Sequence, residues 1–200
     1  MEDSMKKIIE KLETKWNAFE NDKFYLKQCD TSNGKEQTYL NVLFYAVDIG
    51  KLQGVQEAFC CKIHPELKRF YESFNGIMLF SESLRIYGIE SNDDALYDPY
   101  DIVEQNKNDS IQNYGDKYAN FVVFGYYSYC LFCFDKTDFS YLYVFDTRQE
   151  KIVYKFKKLS DLLSHYVDYL YNEYDNRGMK IHFDKSLKGL PVANVSTEFI

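Results

Sequence analysis

Four short apolar runs near the end of the chain constrain it most. Residues 121–125 (FVVFG), 129–135 (YCLFCFD), 141–146 (YLYVFD) and 151–156 (KIVYKF) follow one another with only turn-length gaps. Runs this short, rich in Val, Phe and Tyr, are too brief for helices and read as consecutive strands. Residues 137–139 and 147–149 supply the hairpin turns between them. In the third run Tyr141, Tyr143 and Phe145 alternate with Leu142 and Val144, so both faces are apolar and the strand is expected to be central. In the fourth, Ile152, Tyr154 and Phe156 alternate with Lys155 and Lys157, so one face meets water. A helix follows, capped by Ser160 with Asp161 in its first turn, and striped by Leu162, Leu163, Tyr166, Leu170 and Tyr174. Asn176 to Gly178 is its expected stop. A run of strands followed by a helix is an α+β pattern.

Upstream, residues 63–88 (IHPELKRFYESFNGIMLFSESLRIYG) read as a helix, a sharp stop and a hairpin. Pro65 suits the first helical position, with His64 at the N-cap. Leu67, Phe70, Tyr71 and Phe74 fall at i, i+3, i+4 and i+7, one apolar helix face. Asn75-Gly76 reads as the helix stop, with Gly76 at positive φ. Residues 77–80 and 84–87 then form two strands around Ser81-Glu82-Ser83.

The N-terminal part is less ordered in pattern. Residues 6–19 read as an amphipathic helix with Ile8, Ile9, Leu12, Trp16 and Phe19 on one face, and Trp16 as a core anchor. Residues 23–28 form a short strand and 31–34 a turn. Residues 37–48 are strand-like in composition, but their length and Gly50 at the stop favour a helix with Leu40, Leu43, Phe44 and Val47 inward. Residues 55–60 add a helical turn or two. Residues 100–105 form a helical turn, 111–120 a loop and 180–183 an edge strand before the tail.

The helix with P-E-L-x-x-F-Y at 65–71, the N-G at 75–76 and L-x-I-Y-G at 84–88 resemble the SUKH superfamily of Smi/Knr-like proteins. Pro65, Leu67, Tyr71, Asn75, Gly76, Leu84 and Gly88 carry the match, joined by the strand pair at 121–135 and the closing helix at 159–170. The resemblance spans about residues 53–173. It implies a SUKH-like α+β domain spanning residues 1–200, with a mixed or antiparallel sheet of about six strands and helices packed on one face. Superfamily members include bacterial immunity proteins that bind and neutralise a cognate toxin, and a yeast cell-wall regulator that recruits signalling partners.

Charge and composition narrow the partners. The net charge is −7, with only four Arg and no basic block, which argues against nucleic acid and against anionic membrane. No apolar run reaches the ~18 residues that span a bilayer, and the N-terminus mixes both charges without the apolar core of a signal peptide. Five Cys without a regular framework read as free thiols in a reducing cytoplasm. Nineteen Tyr read mainly as half-buried sheet residues.

Signals for catalysis are weak. His64-Pro65-Glu66 and Cys130-Leu131-Phe132-Cys133 match the two halves of a zinc-deaminase signature. Residues i and i+3 of a strand point to opposite faces, so one zinc cannot easily take both thiolates. No nucleophile motif and no phosphate loop is present, and His165 and His182 read as structural or solvent-facing. The expectation is a non-catalytic binding protein without cofactor or metal, monomeric or a weak dimer.

Residues 90–109 (ESNDDALYDPYDIVEQNKND) stand out as an insert between hairpin and sheet. Glu90, Asp93, Asp94, Asp98, Asp101, Glu104 and Asp109 oppose Lys107 alone, so the insert carries six of the seven net negative charges. Such concentrated repulsion gives a fold little. The candidate contacts for a basic toxin, a nuclease among the possibilities, are Asp93, Asp94, Asp98, Asp101 and Glu104, with Tyr97 and Tyr100 as aromatic anchors.

Overall fold

A computed structural model of the chain describes residues 3–16, 19–21, 24–30, 36–46, 48–80, 83–90, 100–108 and 111–173. The fold is α+β. Strands β1 (Phe19–Asn21), β2 (Phe24–Asp30), β3 (Glu36–Tyr45), β4 (Phe74–Leu79), β5 (Leu84–Ile86), β6 (Phe121–Tyr127), β7 (Cys130–Asp135), β8 (Leu142–Asp146) and β9 (Lys151–Phe156) form one sheet. The order in the sheet is the order in the chain, and every neighbouring pair is antiparallel. Helices are α1 (Asp3–Trp16), α2 (Leu52–Phe59), α3 (Pro65–Tyr71), α4 (Ile102–Asn108) and α5 (Leu159–Glu173).

Of the residues expected as a helix over 37–48, those at 37–45 form β3 instead, and with short β1 this brings the sheet to nine strands. The apolar positions here satisfy a helical period, but TYLNVLFY is rich in aromatic and β-branched side chains that favour a pleated surface. Its neighbours decide the matter: Val42 pairs with Met78 and Leu43 with Ile77. Gly50 lies inside a short 3-10 turn (Ile49–Lys51), whose start Asp48 caps by accepting from the Gly50 N–H at 2.9 Å.

The core lies between the sheet and α1, α3 and α5. Leu84, Ile86, Tyr127, Phe132 and Val144 share this face, and Tyr166 of α5 packs 4.9 Å from Tyr127 and 5.0 Å from Phe132. Leu162, Leu163, Tyr166, Val167 and Leu170 are all buried, close to the expected stripe. Ser160, however, is buried inside the first turn, and the Leu159 N–H donates to Glu66 Oε2 of α3 at 3.2 Å. The carboxylate of another helix meets the positive end of α5.

α3 begins as its sequence predicts, with Pro65 in the first turn and the His64 side chain accepting from the Glu66 N–H. It stops three residues early. Tyr71 is its last residue, and Phe74 opens β4, its ring 5.6 Å from Phe70. Gly76 therefore holds its positive φ of +98° within a strand, not at a helix end. β8 is second from the edge of the sheet, not central, yet Leu142, Val144 and Phe145 are fully buried.

The opposite face is covered too. Residues 111–120, expected as loop, contain two 3-10 turns (Ile111–Tyr114 and Asp116–Tyr118). Their Tyr114 and Tyr118 rings lie 5.0 and 4.8 Å from Phe145. The side chain of Trp16, the turn at 31–34, the helix stop at 176–178, and residues 180–200 lie outside the described residues.

Candidate functional site

The acidic insert is held at its entrance by β4 and at its exit by Gly88, just past the end of β5. At its entrance Asn75, buried in β4, accepts from the Ile89 N–H at 2.8 Å and donates Nδ2 to the Glu90 carbonyl at 2.8 Å. Glu90 also pairs with Lys51 at the start of α2. At its exit the Tyr100 carbonyl accepts from the Gly88 N–H, and the Ile102 N–H donates to the Gly88 carbonyl, both at 2.9 Å. These two bonds make Gly88 and Asp101 a parallel bridge, so the feet of the insert stand side by side.

Beneath the exit foot lies Arg85, the middle residue of β5. Leu84 and Ile86 face the helical core, so Arg85 points the other way, between Met78 of β4 and Tyr126 of β6. It is 1 % exposed. Its guanidinium carbon sits 3.6 Å from the centre of the Tyr100 ring, and Nη2 donates to Met78 Sδ at 2.9 Å. A desolvated guanidinium against an aromatic face is worth about 2 kcal/mol or more. Tyr100 takes a φ of +60°, a conformation rare for an aromatic residue and held only where surroundings over-determine it.

Of the seven candidate contact residues, Asp93, Asp94, Tyr97 and Asp98 fall within 91–99, outside the described residues. Tyr100 is turned inward onto Arg85. Asp101 caps α4, its Oδ1 accepting from the Val103 N–H at 2.7 Å and the Glu104 N–H at 3.1 Å. Glu104 is exposed and pairs with Lys107 at 2.6 Å. Asn106 then ties α4 to the sheet, taking the Val123 N–H at 2.9 Å and donating to the Val123 carbonyl at 2.6 Å.

Sequence reasoning missed the anchoring roles of Arg85, Asn75 and Asn106. Arg85 left one trace, a charge inside the apolar run LRIY of a chain with only four Arg. Asn75 showed only as part of the Asn75-Gly76 stop and Asn106 not at all, because their role is to satisfy backbone groups of segments far along the chain.

The zinc-deaminase halves do not converge. Cys130 lies on the core face, while Cys133 lies on the opposite face with its thiol donating to the Tyr143 carbonyl. Burial pushes the Cys130 thiol up to about 11, and burial likewise raises Cys133. His64 spends Nδ1 on its cap. Burial lowers its pKa, against the opposing pull of the Phe139 carbonyl and Asp138. Among the described residues no three His, Cys, Asp or Glu side chains are grouped to hold a metal, and no helix is long and apolar enough to cross a membrane.

The sequence matches the SMI1/KNR4 family (SUKH-1) over residues 46–172. The chain belongs to this family. The SUKH-1 match begins just after β3 and ends one residue before the end of α5, so it takes in β4–β9 and α2–α5 together with the acidic insert. α1 and the first three strands lie outside it. No curated protein matches the chain.

Proposed function

We propose that this SUKH-1 protein is a non-catalytic immunity protein that acts in the cytoplasm, binding and neutralising a cognate toxin through its acidic insert. The observation that carries the reading is the way the insert is planted. Its two feet are fixed by four backbone-directed hydrogen bonds, two from Asn75 of β4 and two with Gly88 just past β5, over a buried arginine stacked on Tyr100. Anchored feet lower the ordering cost that a binding loop otherwise bears. The net charge of −7 steers the protein toward basic partners, and enzymes that bind phosphate, nucleases among them, carry such surfaces.

In this reading Asp93, Asp94, Asp98 and Glu104 meet Lys or Arg of the toxin, with Tyr97 as aromatic anchor. Tyr100 and Asp101 hold the loop. Replacing Asp93, Asp94, Asp98 and Asp101 together with Asn is expected to weaken toxin binding at least tenfold, about 1.4 kcal/mol. Asn at 101 retains capping ability, so the melting midpoint should stay nearly unchanged. Calorimetry at two salt concentrations with the toxin encoded beside this gene tests it, and association should slow as salt rises. A variant that binds and protects cells like the parent would overturn the reading.

A further inference from the structure

Too interspersed with apolar residues to form a basic block, five cations of this acidic chain still gather on one strand and its turns. Between residues 148 and 158 stand Arg148, Lys151, Lys155, Lys157 and Lys158, against Glu150 alone. These residues lie along β9, the last strand of the sheet, and on the turns at its two ends. β8 is the single described ladder partner of β9, so its outer row of N–H and C=O groups meets no described strand. Lys155 lies 4.9 Å from the centre of the Tyr141 ring. Among the described residues, none of the four lysines reaches a carboxylate.

Register places the cations on both sides of that edge. Lys155 pairs with Tyr143, and Lys151 pairs with Asp146. Tyr143 and Asp146 lie on opposite faces of β8, and the bulge between Val144 and Phe145 lets the two lysines straddle the strand. An added strand with carboxylates on both faces would meet a lysine on each.

A built anchor stands at the same end. Tyr129, in the β6–β7 region, is 54 % exposed, an unusual setting for a large ring. The Arg148 guanidinium carbon lies 5.0 Å from its centre. Asp146, itself 2 % exposed, holds that arginine by accepting from its backbone N–H at 2.8 Å and from Nη2 at 3.3 Å. Thr147 joins the two turns, donating both its N–H and its hydroxyl to the Tyr129 carbonyl at 3.0 Å. Rigid Tyr and Arg pairs are the residues that dominate interface energetics.

We propose that the outer edge of β9, with the Tyr129–Arg148 pair, is a docking site for an extended acidic segment of a partner protein. The segment adds a tenth strand by main-chain hydrogen bonds. Its carboxylates meet Lys151 and Lys155, and a carbonyl or carboxylate at its end meets Arg148. This surface is distinct from the insert and independent of the toxin reading. The alternative physics is protective, since lysines and a bulge also keep an edge from pairing with itself.

Titration of the full-length protein with a synthetic Glu/Val peptide, carboxylates on both faces, decides between them. The expected result is shifted and exchange-protected β9 amides. Binding should fall at least tenfold for the Gln/Val counterpart, for K151E/K155E and for Tyr129→Ala, and should persist in K151R/K155R. Unshifted β9 amides in a folded protein would overturn the proposal. So would binding indifferent to the peptide's charge. Sedimentation of the protein alone completes the test: a dimer formed through β9 would assign the edge to a second copy and overturn the partner.

Discussion

Gly76 stands in β4 at φ +98°, where a Cβ would lie 2.7 Å from the Ile86 carbonyl oxygen. Both constraints select glycine, one through backbone conformation and one through the closeness of β5. Gly76→Ala is expected to cost at least about 2 kcal/mol, read as a lowered midpoint in chemical denaturation. The requirement for glycine was legible in the sequence, but its cause was not, because Asn-Gly closes a helix as readily as it opens a strand. His64 gives a second residue-scale test. Its neutral form caps α3 and is favoured by burial, so its folded pKa lies below the ordinary 6.5. The unfolded chain then takes the proton more readily. Stability from this group is full above pH 6.5 and falls as pH drops from there toward the folded value. His64→Asn keeps a capping acceptor and should flatten that part of the stability–pH curve in thermal melts. A remainder should persist, since burial lowers His165 in the same direction.

At the scale of elements, α4 is fixed by side chains more than by its own seven residues. Asp101 caps it, buried Ile102 seats it, and Asn106 extends the β6 ladder where β5 has ended. Asn106→Ala should cost about 1–3 kcal/mol, because the N–H and carbonyl of buried Val123 lose that partner. Denaturant unfolding measures it, with Asn106→Asp expected to be intermediate because it restores the acceptor alone. The four strands β6–β9 were legible almost residue by residue, since alternation and turn chemistry agreed there. β3 was not, because Leu40, Leu43 and Phe44 suit a helix until β4 is known to lie beside them. Ser160 was read as the cap of α5 because local sequence cannot show that Glu66 arrives from α3.

Across the whole molecule, the α+β class and the likeness to the SUKH superfamily were visible from Pro65, Asn75, Gly76 and Gly88 together with the strand run. The acidic insert was visible as charge, while the arginine beneath it emerged only when β4, β5 and β6 came together. The sheet has a further consequence. Each strand's ladder partner is the next strand along the chain, from β1 to β9 without a crossover. Loop closure is short for the hairpins β6–β7, β7–β8 and β8–β9, whereas β3–β4 and β5–β6 pair only after residues 46–73 and 87–120 have been closed off between them. On the ribosome each strand can pair with the one before it as soon as it emerges. The longest link joins the two ends of the described chain, where Lys11 of α1 pairs with Asp168 of α5. That contact waits for almost the whole described chain to be synthesised, so the first helix can complete its packing only once the last one exists.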